Sequence, residues 1–428
     1  MVSAAQRRTI HYGWIVVAIT SLTLLVAAGV RSAPGVMIHP LEMEFGWSRS
    51  SISFAVAIGL LLYGLAGPVA GALMDRFGPT RLMLIGVALT AISTALAAAI
   101  SALWQLNLLW GVFSGLGTGI AATVLGATVA NRWFVARRGL VIGIFGAATS
   151  AGQLLFVPLL MWIVTGAGWR SASLVLAACA AAMILPIVLF MRDDPAAVGA
   201  RPFGAPPQID NSTVERLPAE GTLEVMRRAL RTPMFWLLAG SFFICGATST
   251  GLIGTHFIPH SIDHGIPEAT AAGTLALMGA MNFVGTIGSG YLTDRFDPRK
   301  LLAMYYTLRG LSLFILPLVT DFSGLAIFAV VFGLDYIATV PPTVVLASDI
   351  FGRRHVGIVF GWIFAAHQLG AALTAYLGGV ARDAFGDYQL AFISAGALAM
   401  LGGLMALRVE RGPISVVRPS STPTPANA

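Results

Sequence analysis

Twelve apolar runs of about 20 residues, each long enough to cross roughly 30 Å of hydrocarbon as a helix, lie near 13–34, 51–74, 82–101, 104–130, 139–165, 171–191, 234–258, 268–292, 300–319, 322–347, 356–380 and 388–407. They fall as six, a break, and six more. The break, 193–232, is rich in Pro, Gly and charge and reads as a cytoplasmic linker, while 411–428 has the composition of a disordered tail. In lipid every backbone polar group needs an internal partner, which helices supply within one segment. The expected fold class is therefore an all-α membrane protein, with one six-helix bundle over 1–192 and another over 233–410. With 57% hydrophobic and 11% charged residues, the chain lies far from the composition of a soluble domain.

The two halves share a loop. Gly71-Ala-Leu-Met-Asp75-Arg76-Phe-Gly78-Pro-Thr-Arg81 returns as Gly290-Tyr-Leu-Thr-Asp294-Arg295-Phe-Asp297-Pro-Arg299-Lys300, each time straight after an apolar run. Two copies of one unit imply pseudo-symmetric bundles, and many secondary transporters build their binding site between such halves.

The net charge of +7 raises nucleic acid as a partner, and the positions of the basic residues reject it. With a cytoplasmic N-terminus, all of the 26 basic residues except Arg31, Arg49, Arg170, Arg309 and Arg382 fall on the cytoplasmic side, as the positive-inside rule requires of both termini and the linker. Arginine far outnumbers the single lysine, Lys300, as high-GC coding favours, which points to a bacterial inner membrane. The first run is longer than a signal-peptide core and is kept as helix 1. Cys179 and Cys245 fall inside spans and read as apolar packing residues, with no disulfide, metal site or cofactor implied. Gly115, Gly117 and Gly119 superficially form a dinucleotide loop, yet no strand precedes them; there, as at Gly67 and Gly71, glycine lets membrane helices approach closely. The 211–213 glycosylation triplet carries no weight in a cytoplasmic linker, and Leu223 to Leu230 reads as an amphipathic stretch at the inner leaflet or the first turn of helix 7.

Across all twelve spans the chain resembles the major facilitator superfamily. The resemblance rests on Gly71, Leu73, Asp75, Arg76, Gly78 and Arg81, and on a weaker copy at Gly290, Leu292, Asp294, Arg295 and Lys300 in which Asp297 stands where the family has glycine. It implies a gating latch, in which charge-assisted bonds break when the cytoplasmic side opens. Arg137 and Arg138 after helix 4, and Arg353 and Arg354 after helix 10, are the expected partners, unless they only set topology. A narrower resemblance, at Tyr12-Gly13-Trp14 and at Trp133-Phe134-Val-Ala-Arg137-Arg138-Gly-Leu140-Val-Ile-Gly143, is to the monocarboxylate porter group, which includes oxalate/formate exchangers. It implies carriage of small organic acids with a proton or in exchange for another anion. Members handling lactate-like anions carry Asp-x-x-x-Arg in helix 8, where this chain has Asn282 and Thr286, residues suited to a polar solute without demanding charge. Helix 5 reads Gly152-Gln153-Leu-Leu-Phe-Val-Pro158, unlike the pattern of proton/drug antiporters.

Charge inside a bilayer is expensive, so intramembrane ionisable groups are buried, paired or functional. Arg31, placed in the outer part of helix 1, either holds a substrate carboxylate or snorkels to the outer headgroups. Arg309 and Asp335 lie at similar depth in helices 9 and 10; they form a buried pair, or Asp335 faces the cavity and takes the coupling proton. His367, central in helix 11, is a candidate for substrate contact and proton transfer, its alternative being a satisfied packing residue. Tyr63, Gln153, Asn282, Thr286, Tyr336 and Gln368 are further candidates for substrate binding, each able instead to serve interhelical hydrogen bonds. His256 and His260 either gate access or face water. The expected function is proton-coupled secondary transport of a small organic acid by a protein working as a monomer, not an enzyme. The rivals are carriage of a larger or neutral nutrient, export, and a non-transporting sensor.

Overall fold

The structure is a computed structural model that describes residues 11–121, 123–205, 222–352 and 356–410. The side chain of Asp75, all of Arg353 and Arg354, the 211–213 triplet and the tail 411–428 lie outside the described residues. The membrane-length helices are α1 (Gly13–Phe45), α2 (Arg49–Phe77), α3 (Pro79–Ala97), α4 (Leu103–Trp133), α5 and α6 within Arg138–Phe190, α7 (Pro233–Asp263), α8 (Glu268–Thr293), α9 (Pro298–Leu318), α10 (Phe322–Phe351), α11 (Val356–Phe385) and α12 (Gln389–Leu407).

Arg138–Phe190 has 53 residues, which as one straight helix would reach about 80 Å, far beyond one bilayer. It turns back at Gly168, whose φ of 81° and ψ of 163° no L side chain adopts easily, giving α5 (138–167) and α6 (169–190). Contacts at both ends confirm the hairpin. Arg138 Nε donates to the Phe134 carbonyl beside the end of α4, and Tyr12 donates to the Phe190 carbonyl at the same face. Arg170, just past the turn, pairs with Glu44 at 2.6 Å at the other face. Among the described residues the eleven apolar helices thus make twelve passes. The termini of the described chain, residues 193–205 and 222–232 and both Asp-Arg loops share one face, the linker face; the opposite end is the far face.

The glycines of α4 bring it against its neighbours. A Cβ on Gly115 would sit 2.7 Å from the Gly59 carbonyl oxygen of α2, and one on Gly117 2.8 Å from that of Gly86 in α3. The duplicated loop differs between halves for a conformational reason. Gly78 ends α2 at φ 87°, while Asp297 in the corresponding place has φ −62° and caps α9 by accepting from Arg299 N at 3.0 Å. Only the first copy needs glycine. Asp193 supplies there what Asp297 supplies in the second, accepting from Thr80 N at the start of α3 at 2.7 Å.

Two expectations change. Helix 1 continues well past 34, through Pro34 and Pro40 to Phe45. The Leu223–Leu230 stretch is not the first turn of α7: it forms its own amphipathic helix, Thr222–Leu230, burying Val225, Met226 and Ala229, and Thr232 then caps α7.

Candidate functional site

The extension of α1 puts Arg31 near the middle of a 33-residue helix rather than near its end. About 20 Å of helix separates it from Phe45, so it lies farther from the end of helix 1 than the run marked 13–34 placed it. Arg31 Nη1 donates to the Tyr63 hydroxyl at 2.8 Å, and its guanidinium carbon lies 5.0 Å from the Tyr63 ring centre. Among the described residues it has no carboxylate partner. Two adjoining cavities share Arg31, Tyr63 and Thr118; Trp110, Leu60 and Ser114 line the larger, and all their walls come from the first half. The second half meets this region where α2 crosses α11. Tyr63 packs edge-on to Phe364 at 6.3 Å, Gly64 receives the Gln368 side chain, and the buried Gln368 Oε1 has no hydrogen-bond partner. Gln153, half-buried on α5, lines neither cavity.

A second polar cluster lies inside the second half, around an interruption of α10 at 336–339. Pro341 and Pro342 follow it. Proline has no N–H to return to the carbonyl four residues back and its ring collides with that turn, so the helix opens there. Arg309, wholly buried, donates Nε to Asp335 Oδ2 at 2.7 Å and Nη2 to the Asp335 and Tyr336 carbonyls at 2.8 and 3.2 Å. Its Nη1 reaches Cys245 Sγ at 3.0 Å, and Thr339 Oγ1 lies 3.1 Å from the same sulfur. Cys245 is therefore a member of a polar network and not the apolar packing residue that its position suggests. His367 touches that thiol from α11, stacked parallel to Phe364 at 5.7 Å, with Nδ1 buried and unpartnered. Asn282 Oδ1 accepts from Ile337 N at 3.1 Å and from Thr286 Oγ1 at 3.3 Å. The Tyr336 hydroxyl lies beside Thr250 and Gly254 of α7. The expected site residues thus fall into two clusters, Arg31 with Tyr63 and the α10 interruption with His367; Gln368 and Tyr336 lie between them.

Side-chain bonds between the halves gather at the far face, around residues that sequence reasoning passed over. Arg49 at the start of α2, only 2% exposed, forks onto Asp263 at the end of α7 at 2.7 and 2.8 Å. It also reaches Glu42 at 2.8 Å and the Tyr388 hydroxyl at 2.9 Å. Arg382 shares Asp263 at 2.8 Å. Acidic residues at the ends of α7 and α11 opposite Arg49 were the available signal. His256 and His260 lie under this cluster, both buried, so neither faces water as one reading had it; His256 Nε2 is 2.7 Å from the Ala375 carbonyl.

The linker face is arranged differently. Arg76 rests on Phe77, Arg137 on Phe203 and Arg295 on Tyr291, while Arg81 and Asp294 are exposed. Along α5 and α8 the far part is in contact, Gly279 meeting Leu154 at 3.7 Å, whereas Gly143, Gly146, Gly288 and Gly290 nearer the linker face have open space beside them. The conformation is closed at the far face and parted at the linker face. The two segments of the narrower resemblance meet there: Tyr12 stacks on Trp133 at 5.7 Å and Trp14 packs edge-on to Phe134 at 5.2 Å.

Comparison with known proteins agrees with this geometry. The Major Facilitator Superfamily profile matches residues 20–334 and 263–426. Among curated relatives, an uncharacterised MFS-type transporter, YcxA of Bacillus subtilis, is 27% identical over 88% of this chain and 90% of its own. Monocarboxylate transporter 13 of Bos taurus is 27% identical over 91% and 88%, and the oxalate:formate antiporter of Oxalobacter formigenes 24% identical over 89% and 87%. In fold the chain is similar to a bacterial homolog of the human lysosomal transporter Spinster, in an inward-facing, unoccupied conformation, with TM-score 0.70, 16% identity and 94% of each chain covered.

Proposed function

Because the chain belongs to the Major Facilitator Superfamily, we propose that it carries a small, monocarboxylate-like organic acid together with a proton, by rocking its halves about a midplane site. The observation that carries this reading is Arg31, a guanidinium in mid-helix, beside a cavity, bonded to a neutral phenol and to no carboxylate among the described residues. A fixed cation so placed is costly unless an anion balances it, and a carboxylate accepts two parallel bonds from a guanidinium. Hydroxyls of Tyr63, Ser114 and Thr118 and the ring of Trp110 surround the place such an acid takes. The proton goes to the second half. Asp335 gives Arg309 one oxygen and keeps Oδ1 buried without a partner, and His367 Nδ1 is equally unengaged. These atoms can accept a proton without breaking an existing hydrogen bond.

In this reading the linker face is the cytoplasmic face of a bacterial inner membrane and the protein works as a monomer. Asp75, Arg76, Arg81, Arg137, Arg138, Asp294, Arg295, Arg353 and Arg354 then close the linker face in the opposite state. The test is uptake of labelled short-chain and aromatic acids into proteoliposomes under an inward proton gradient, with wild type beside Asp335→Asn. Wild type accumulates acid. The variant, which keeps an oxygen for Arg309 and cannot titrate, exchanges preloaded acid and no longer accumulates it. No uptake and no exchange in wild type would overturn the assignment.

A further inference from the structure

A membrane helix that breaks has to re-satisfy its freed backbone groups from neighbouring side chains. At 336–339 of α10 that task is divided among three residues on two helices. Asn282 Oδ1 accepts from Ile337 N at 3.1 Å, the Ser289 hydroxyl donates to the Ala338 carbonyl at 2.5 Å, and Arg309 Nη2 donates to the carbonyls of Asp335 and Tyr336. Pro342, four residues after Ala338, has no N–H to offer that carbonyl, and Ser289 replaces it. All three residues are at least 99% buried. The groups they hold are main-chain atoms, so what they fix is a backbone path.

That path aims one side chain. Tyr336 leaves α10 at the first residue of the interruption and carries its hydroxyl to α7, where it lies beside Thr250 and would lie 3.2 Å from a Cβ on Gly254. Thr250 belongs to a π-helical stretch, Ala247–Ile253, of the kind found where helices are bent for function. Across the halves, the Gly254 carbonyl oxygen lies 3.1 Å from a Cβ on Gly35 of α1, one turn beyond Arg31.

We infer that Tyr336 is the contact of the second half with the cargo, opposite Arg31, and that Asn282, Ser289 and Arg309 are its positioning residues. The cargo role of Tyr336 rests on the reading of Arg31 as a carboxylate site; the positioning role does not. Asn282, which stands where lactate-handling porters begin their Asp-x-x-x-Arg, here acts through the backbone of α10. Its oxygen is occupied by Ile337 and Thr286, and it sits 1% exposed.

Hydrogen exchange and transport together test this. In Asn282→Leu, which removes the acceptor at similar volume, amides of 336–339 exchange at least tenfold faster while those of α2 and α12 keep their rates. Asn282→Asp retains an oxygen and restores protection, and the gentler Ser289→Ala gives the same local rise. In proteoliposomes Tyr336→Phe and Asn282→Leu each raise KM roughly fivefold or more with little change in maximal rate, as loss of one hydrogen bond predicts, and the double variant is no worse than the poorer single. Unchanged exchange at 336–339 would overturn the positioning role, and multiplying KM effects would overturn the link from Asn282 to Tyr336. If wild type moves no organic acid, the cargo role of Tyr336 falls with the reading beneath it, and exchange still decides the positioning.

Discussion

Arg31 and Arg309 are the same residue at comparable depth, and their surroundings make them opposites. Arg309 directs its donors to a carboxylate, backbone carbonyls, a thiol and a hydroxyl of its own bundle. Arg31 uses one donor on one phenol. Removing a charge-assisted bond costs about 1.5–3 kcal/mol, so Arg31→Gln should weaken binding of an organic acid by roughly 10- to 100-fold, read by isothermal titration of the purified protein. Arg31→Lys, which lacks the planar fork, should recover only part of that. Equal affinity in wild type and Arg31→Gln would remove the guanidinium from the site. In the sequence both arginines were visible as intramembrane charges, and their depth was legible for Arg309. What separates them is the company of Cys245, Thr248 and the α10 carbonyls, brought from helices far apart in the chain, which no local pattern encodes. Asn282 shows the converse. Its place in a family motif was readable, yet the group it bonds, a backbone N–H freed by a break in another helix, was not.

At the level of elements, the helices and their order follow from apolar runs, because a bilayer allows little else. Their irregularities follow from single residues that were present in the sequence and undervalued. Pro341 and Pro342 fall within the run marked 322–347 and foretell the opening of α10 just before them. The apolar run marked 13–34 ended helix 1 early, whereas the packed neighbours of α1 carry it through Pro34 and Pro40 to Phe45. Tertiary burial outweighed a local penalty there. The close crossing of α8 and α10 depends on Gly285, where an added Cβ would overlap the Leu334 carbonyl oxygen. Gly285→Ala should therefore destabilise the protein by about 1–3 kcal/mol through overpacking, seen as a lower Tm in detergent. Gly288→Ala, one turn away with open space beside it, should leave Tm unchanged in this conformation. A Tm for Gly285→Ala equal to wild type would mean that α10 can shift away at no cost.

For the whole molecule, the repeat explains two similar bundles but not the bonds that join them. Arg49, Asp263, Arg382 and Tyr388 belong to no repeated segment, so the duplication that made the fold readable was blind to the far-face closure. Asp263→Asn removes the shared carboxylate from two arginines. Truncating one partner of a buried charge pair costs a few kcal/mol, enough to shift a two-state balance by more than tenfold toward an open far face. Distances between spin labels at the far ends of α1 and α7 should lengthen in the variant; an unchanged distribution would show that apolar contact alone holds this face shut. Closure also completes a helix. Asp383, on α11, accepts from the backbone N–H groups of Arg49 and Ser50 at 3.1 and 2.9 Å, so the second bundle caps the first turn of α2, where Ser48 alone serves Ser51 at 3.3 Å. When the halves part, those two amides lose their acceptor to water. The transport cycle is thereby written into the hydrogen-exchange rates of residues 49 and 50, which makes the native chain its own unlabelled reporter of which way it faces.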